Sequence, residues 1–253
     1  MATTTIYADS RGTVIHIGAV EGEALDAWNG ARGGNTTTGN SVIASGNGSM
    51  GAQIQATRGG DFQGYCYRTY FYFDISEIGA DDITAISATI IGGSSSAAAG
   101  DWRVVRANSD NDFGTIATSD FALVFNSSTQ MTSYSNSAST WNPNFGGNLG
   151  VNTISLNATA VSNANSGGAS AQELCIGLIN NTYDYENEDA EENFGQLING
   201  VALASTGTGR ALLTVTHSSA GFGKNVNNVT AANIVQINGI ATANITNLNG
   251  VSA

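Results

Sequence analysis

Positive charge, proline, cysteine and histidine are all scarce in this chain of 253 residues. Charged residues amount to only 11% of it, which excludes a coiled coil and a charge-rich disordered chain. Its 32 glycines stand beside a single proline, so collagen is excluded as well. Eight basic residues face twenty acidic ones for a net charge of -12. Lys224 is the only lysine, and the arginines are scattered from Arg11 to Arg210. Phosphate binding needs clustered Lys and Arg, so no nucleic-acid partner is expected. No apolar run approaches the ~20 residues of a membrane-spanning helix, and no membrane partner is expected. Met1 to Tyr7 has neither the basic nor the apolar region of a signal peptide, so the expectation is a soluble chain that is not exported by that route. Cys66 and Cys175 allow one bridge, but each lies in an apolar strand-like run, where a buried thiol is the simpler reading.

What remains is strand-forming. β-Branched and aromatic runs recur between clusters of Gly, Ser, Asn and Asp. They are Thr3 to Tyr7, Thr13 to Ile17, Gln53 to Thr57, Tyr65 to Ile75, Ala85 to Ile91, Trp102 to Arg106, Phe121 to Phe125, Val151 to Leu156, Glu173 to Ile179 and Ala211 to His217. Helical spacing is nearly absent; Asn157 to Ala164 is expected to form one or two turns with Asn157 as N-cap. The expected fold class is all-β: a jelly-roll-like two-sheet β-sandwich over residues 1–220, followed by an extended repeat arm over residues 221–253.

In the run from Tyr65 to Ile75, alternation puts Thr69, Phe71, Phe73 and Ile75 on one face and Cys66, Arg68, Tyr70 and Tyr72 on the other. Both faces are aromatic, so the second face is expected to be covered, by a loop or by another subunit. The polar segment from Gly30 to Gly51 is one candidate cover.

Beyond Gly221 an eleven-residue period appears: Val226-Asn-Asn-Val229, Ile237-Asn-Gly-Ile240 and Leu248-Asn-Gly-Val251. The Asn-Gly pairs and β-branched residues point to short strands joined by turns. Units this short cannot bury their apolar side alone, so the arm is expected to pack on another copy or another protein.

Little in the chain suits catalysis. A triad needs an oriented base, and His16 and His217 both fall in strand-like runs, so no catalytic residue is assigned. Asp184, Glu186, Glu188, Asp189, Glu191 and Glu192 crowd one segment, which reads as a solvated loop, as a calcium site built on Asp184, Glu186 and Glu188, or as a carboxylate pair for glycoside chemistry. No cofactor other than such a calcium is expected. Trp141, Tyr183 and Tyr185 lie in loop-like surroundings and are the aromatics available to stack on a sugar, although a tryptophan there also caps a sandwich core.

The stretch Tyr67-Arg-Thr-Tyr-Phe-Tyr-Phe-Asp-Ile-Ser-Glu-Ile78, followed by Ile83-Thr-Ala-Ile-Ser-Ala-Thr-Ile-Ile91, resembles the signature of DNRLRE-type β-sandwich modules. The likeness runs from about Thr3 to Ser218 and takes in Ile6-Tyr-Ala-Asp9, Asp26-Ala-Trp28, Thr153-Ile-Ser-Leu-Asn157 and Ala211-Leu-Leu-Thr-Val-Thr216. The naming hexapeptide of that family is missing. Such modules occur as carbohydrate-binding-like domains and as pieces of bacteriophage virion proteins, and the Ile-Asn-Gly-Ile tail is similar to tails on structural proteins of marine tailed phages. The resemblance thus implies a virion location and a non-enzymatic structural role, as capsid decoration, head fibre or tail or neck appendage. It also implies other virion proteins, further copies of the chain and a host-surface glycan as partners.

Overall fold

Phe62–Asp74, the strand with two apolar faces, is the centre of the molecule and is buried on both. The structure, a computed structural model, describes residues 1–79, 81–92, 101–107, 115–125, 130–142, 150–166, 173–189 and 195–218, with residues 236–237, 240–241, 247–248 and 251–252 of the arm. In chain order the elements are β1 (Ala2–Tyr7), β2 (Ser10–Glu21), α1 (Ala24–Arg32), β3 (Ser41–Ile43), β4 (Asn47–Ala56), β5 (Phe62–Asp74), β6 (Asp82–Gly92) and β7 (Asp101–Arg106). There follow β8 (Ser139–Thr140), β9 (Gly150–Ser155), α2 (Ala158–Ser166), β10 (Glu173–Asn180), β11 (Gly195–Ala202) and β12 (Leu212–Ser218). All pairing is antiparallel.

One layer is β1-β12-β6-β9. The other is built around β5, which pairs with β2 along one edge and with two strands in succession along the other. Tyr67 and the residues before it face β4, whereas Thr69 and those after it face β10, so the sheet forks at Arg68. Strand β11 lies beside β4 and meets β6 at Val201 and Gly92, tying the layers together.

Phe71 and Phe73 of β5, with Ile75 just beyond it, join Ile86, Ile90, Leu213 and Val215 in the core between the sheets. Cys66, Tyr70 and Tyr72 point the other way, into a second apolar cluster with Trp28, Phe121 and Phe125. The cover expected over that face therefore exists, and it comes from the same chain. It consists chiefly of α1, a short helical turn over Thr118–Ala122 and a wide turn over Asn181–Tyr185; of the Gly30 to Gly51 segment, Ala31 and Arg32 take part at the end of α1 and Val42 packs at the edge.

Helix α1 was not anticipated, yet its buried residues Ala24, Ala27, Trp28, Ala31 and Arg32 follow helical spacing. It lies directly on the strands because Gly18 and Gly64 carry no side chain beneath it. A Cβ at Gly18 would stand 2.7 Å from Ala27 O and Ala31 N, and one at Gly64 would collide with Ala27 O. Helix α2 forms where expected, and Asn157 Oδ1 caps it by accepting from the N–H groups of Thr159 and Ala160, each at 3.1 Å.

Phe121 to Phe125 corrects the strand expectation. The run coils because the Asp120 carboxylate accepts the Ala117 N–H at 2.9 Å and successive N–H groups close short-range turns. A short apolar run has no periodicity that separates strand from buried turn.

In the arm, β13 (Gln236–Ile237) pairs with β14 (Ile240–Ala241) and β15 (Asn247–Leu248) pairs with β16 (Val251–Ser252). Two successive units of the eleven-residue repeat thus form the same hairpin, with Ile237 opposite Ile240 and Leu248 opposite Val251. Val226 and Val229 of the first unit lie outside the described residues.

Candidate functional site

At the fork, β5 has no partner strand beside Arg68 on one edge, and the Asn181–Tyr185 turn that follows β10 brings Asp184 there. Asn180 starts the turn by accepting the Tyr183 N–H at 2.8 Å, and the Glu186 N–H closes it on Asn181 O at 2.9 Å. Asp184 then points inward and is fully buried, as is Arg68. The two form a two-pronged ion pair: Arg68 Nε donates to Asp184 Oδ2 at 2.8 Å and Nη2 to Oδ1 at 2.7 Å. Nη1 donates to Phe121 O at 2.8 Å and Nη2 also to Arg32 O at 2.9 Å. The guanidinium is stacked over Phe121 and Phe125, 4.0 and 4.7 Å from the ring centres.

A second arginine shares this carboxylate. Arg32, 6% exposed at the end of α1, donates Nε to Asp184 O at 2.8 Å and lies 3.7 Å from Oδ1. Cys66 Sγ donates to Asp184 Oδ2 at 3.6 Å, and the Tyr70 hydroxyl donates to Phe121 O at 2.9 Å.

The electrostatics follow from burial. Burial works against charge on Arg68, but Asp184 outweighs it and holds the guanidinium above its ordinary pKa. For Arg32 burial prevails, and the Arg68 charge adds to it against the pull of Asp184, so its pKa is lowered. Burial, reinforced by Asp184, pushes the Cys66 thiol up. Cys66 and Cys175 are both buried free thiols, so the bridge is not formed.

The cluster opens on one side. A cleft of about 390 Å³ is lined by Arg32, Gln130, Met131, Tyr185 and Asn187. Tyr185 is held in its wall by Arg103, whose guanidinium lies 4.2 Å from the ring centre and whose Nε donates to Asn181 Oδ1 at 2.6 Å. Asn187 takes φ 56°, a left-handed conformation that asparagine tolerates, where the chain leaves the turn.

The aromatic sugar-binding candidates separate in space. Trp141 is buried at 4% exposure with its ring edge-on to Trp102 at 5.7 Å, so it caps the core and offers no face to a sugar. Tyr183 is half-buried edge-on to Trp28, and Tyr185 alone of the three lines the cleft.

The carboxylate candidates also change. Asp184 is not a solvated residue, and its oxygens are engaged by Arg68, which leaves nothing for calcium; Glu186 is exposed with Oε1 4.0 Å from Arg103 Nη2, and Glu188 is exposed. Among the described residues no group of three or more acidic, histidine or cysteine side chains is placed to hold a metal. His16 donates Nδ1 to Ala31 O at 2.8 Å, while His217 joins Asp81 Oδ2 at 2.7 Å to Thr4 Oγ1 at 3.0 Å.

Arg32 and Arg68 were missed as site residues. They lie 152 and 116 positions from Asp184, so no local pattern links them. No family model matches the chain, and no curated protein is significantly similar to it.

Proposed function

We propose that this chain is a non-catalytic structural protein of a tailed-phage virion, a capsid decoration or head-fibre protein that displays a β-sandwich and assembles through its C-terminal arm. The observation that carries the reading is the pair of hairpins β13–β14 and β15–β16, spaced eleven residues apart. Strands of two residues do not hold by themselves, and repeats of this kind gain stability by stacking on neighbours. Neighbouring copies of the chain and other virion proteins are the partners this implies. The resemblance to DNRLRE-type modules and to phage tails supports the virion location. The body supports a passive role, since Asp184, His16 and His217 are all engaged in holding strands and turns.

The test removes residues 221–253. The truncated chain is expected to keep its folded body and to lose incorporation into particles; normal incorporation would overturn the reading. A tail or neck appendage is distinguished from a head component by locating the tagged protein on the particle.

Host-surface glycan adhesion is the second reading, favoured by Tyr185 and the amides of Gln130 and Asn187 on one cleft. Glycan-array binding that disappears with Tyr185→Ala would support it.

A further inference from the structure

The cluster at the fork does not balance its charge. Two guanidinium groups, those of Arg32 and Arg68, share the single carboxylate of Asp184, which leaves one positive charge in surplus. Every nitrogen of Arg68 is engaged, by Asp184, Phe121 O and Arg32 O. Arg32 is not: only its Nε is engaged, by Asp184 O, and Nη1 and Nη2 have no hydrogen-bond partner among the described residues. The side chain is nevertheless more than nine-tenths buried, and it forms part of the wall of the 390 Å³ cleft. Asp184 and the Phe125 ring, 5.7 Å away, hold the guanidinium from inside, so Nη1 and Nη2 are the donors that open on the cleft, where an anion would take the place of water.

We infer that Arg32 is the binding group of an anion site in this cleft, and that the site takes one carboxylate group of a small ligand. The planar guanidinium matches a carboxylate through two parallel N–H donors. Gln130 and Asn187 supply further amide donors beside it, and Met131 and Tyr185 supply an apolar wall for the rest of the ligand. A single charge is specified because the surplus is one. Glu188, exposed on the same segment as Tyr185 and Asn187, opposes a dianion such as phosphate, while the Glu186 charge is offset by Arg103. The inference does not rest on a virion location; it concerns the same cleft as the glycan reading and differs from it in requiring an anionic ligand, whether or not that ligand is a sugar.

The test is an NMR titration of the full chain at constant ionic strength with acetate, with its neutral isostere acetamide, and with inorganic phosphate. Acetate is expected to shift the amide signals of Gln130, Met131, Tyr185 and Asn187 saturably, acetamide to leave them in place, and phosphate to bind more weakly than acetate. Arg32→Gln is expected to weaken acetate binding roughly tenfold or more, the size of a lost charge-assisted hydrogen bond. Should Arg32→Gln unfold the chain, Gln130→Glu carries the test, because Gln130 is exposed and a carboxylate there repels the ligand without touching the core. Arg58→Gln, at an exposed position away from the cleft, is expected to change nothing. Equal response to acetamide, tighter binding of phosphate, no saturable shift, or unaltered binding in Gln130→Glu would each overturn the inference.

Discussion

Arg68 and Asp184 close the fork in the central sheet: a guanidinium on β5 and a carboxylate on the turn after β10 meet at 2.7 and 2.8 Å with no exposure to water. The pair stands where backbone pairing passes from β4 to β10, so it replaces a stretch of strand-to-strand contact with side-chain hydrogen bonds. It also reaches both covering segments, through Phe121 O and Arg32 O.

The first prediction concerns this pair. Asp184→Asn leaves Arg68 buried without its counter-charge and is expected to destabilise the body by about 3–5 kcal/mol in urea denaturation. The double variant Arg68→Met with Asp184→Leu removes both charges and is expected to recover a large part of that loss. A double variant no more stable than the single one would show that the two charges are not coupled in this way.

How α1 rests on the sheet gives the second prediction. Gly64→Ala drives a Cβ into Ala27 O, a backbone atom that yields only if the whole helix shifts. The cost is expected to be about 1–3 kcal/mol, as for other overpacked sites. Gly22→Ala is the control, since nothing lies within 4 Å of a Cβ there. Equal midpoints for Gly64→Ala and the parent would contradict the direct seating of α1 on β5.

Much of this was legible in the sequence, and the parts that were not share a cause. The two faces of β5 followed from strict alternation, and the cap on α2 followed from Asn157. The strand pairs of the arm followed from Asn-Gly between Ile237 and Ile240 and between Leu248 and Val251. In α1 the spacing of Ala24, Ala27, Trp28 and Ala31 was present, but alanine gives a weak apolar stripe and Gly30 interrupts it. Asp184 was hidden among five other acidic residues, and its inward turn depends on Asn180 and on partners more than a hundred positions away. Local patterns report which face a strand buries; they carry no signal for a contact made only when the chain has folded.

The third prediction is alkaline sensitivity. Burial raises the pKa of the Cys66 thiol with help from Asp184, and raises those of the Tyr70 and Tyr134 hydroxyls. An unfolded thiol loses its proton near pH 8.5 and an unfolded tyrosine near pH 10, while the folded groups keep theirs. The folded state then binds more protons, so stability is fully present below about pH 8.5 and falls as pH rises, more steeply beyond about pH 10. Cys66→Ser is expected to lessen the first part of the fall in urea midpoints measured between about pH 7 and pH 11. An identical profile for parent and variant would remove Cys66 as its cause.

The last prediction separates the arm from the body. Ile237 pairs with Ile240 and Leu248 with Val251, and in the sequence Asn238-Gly239 and Asn249-Gly250 stand between the paired residues. Two-residue hairpin connections favour turns in which both residues take positive φ, a conformation open to Asn and Gly and costly for a β-branched residue. Replacing both glycines, as Gly239→Val with Gly250→Val, is therefore expected to break the hairpins while leaving the thermal midpoint of the sandwich within a few degrees of the parent, about the shift that ~1 kcal/mol produces at this size. Assembly with other copies or incorporation into particles is expected to fall sharply, measured by native mass spectrometry and by particle composition. Unchanged assembly in this variant would mean that the arm acts through its sequence in an extended form, because the turn would then be dispensable to the contact it makes.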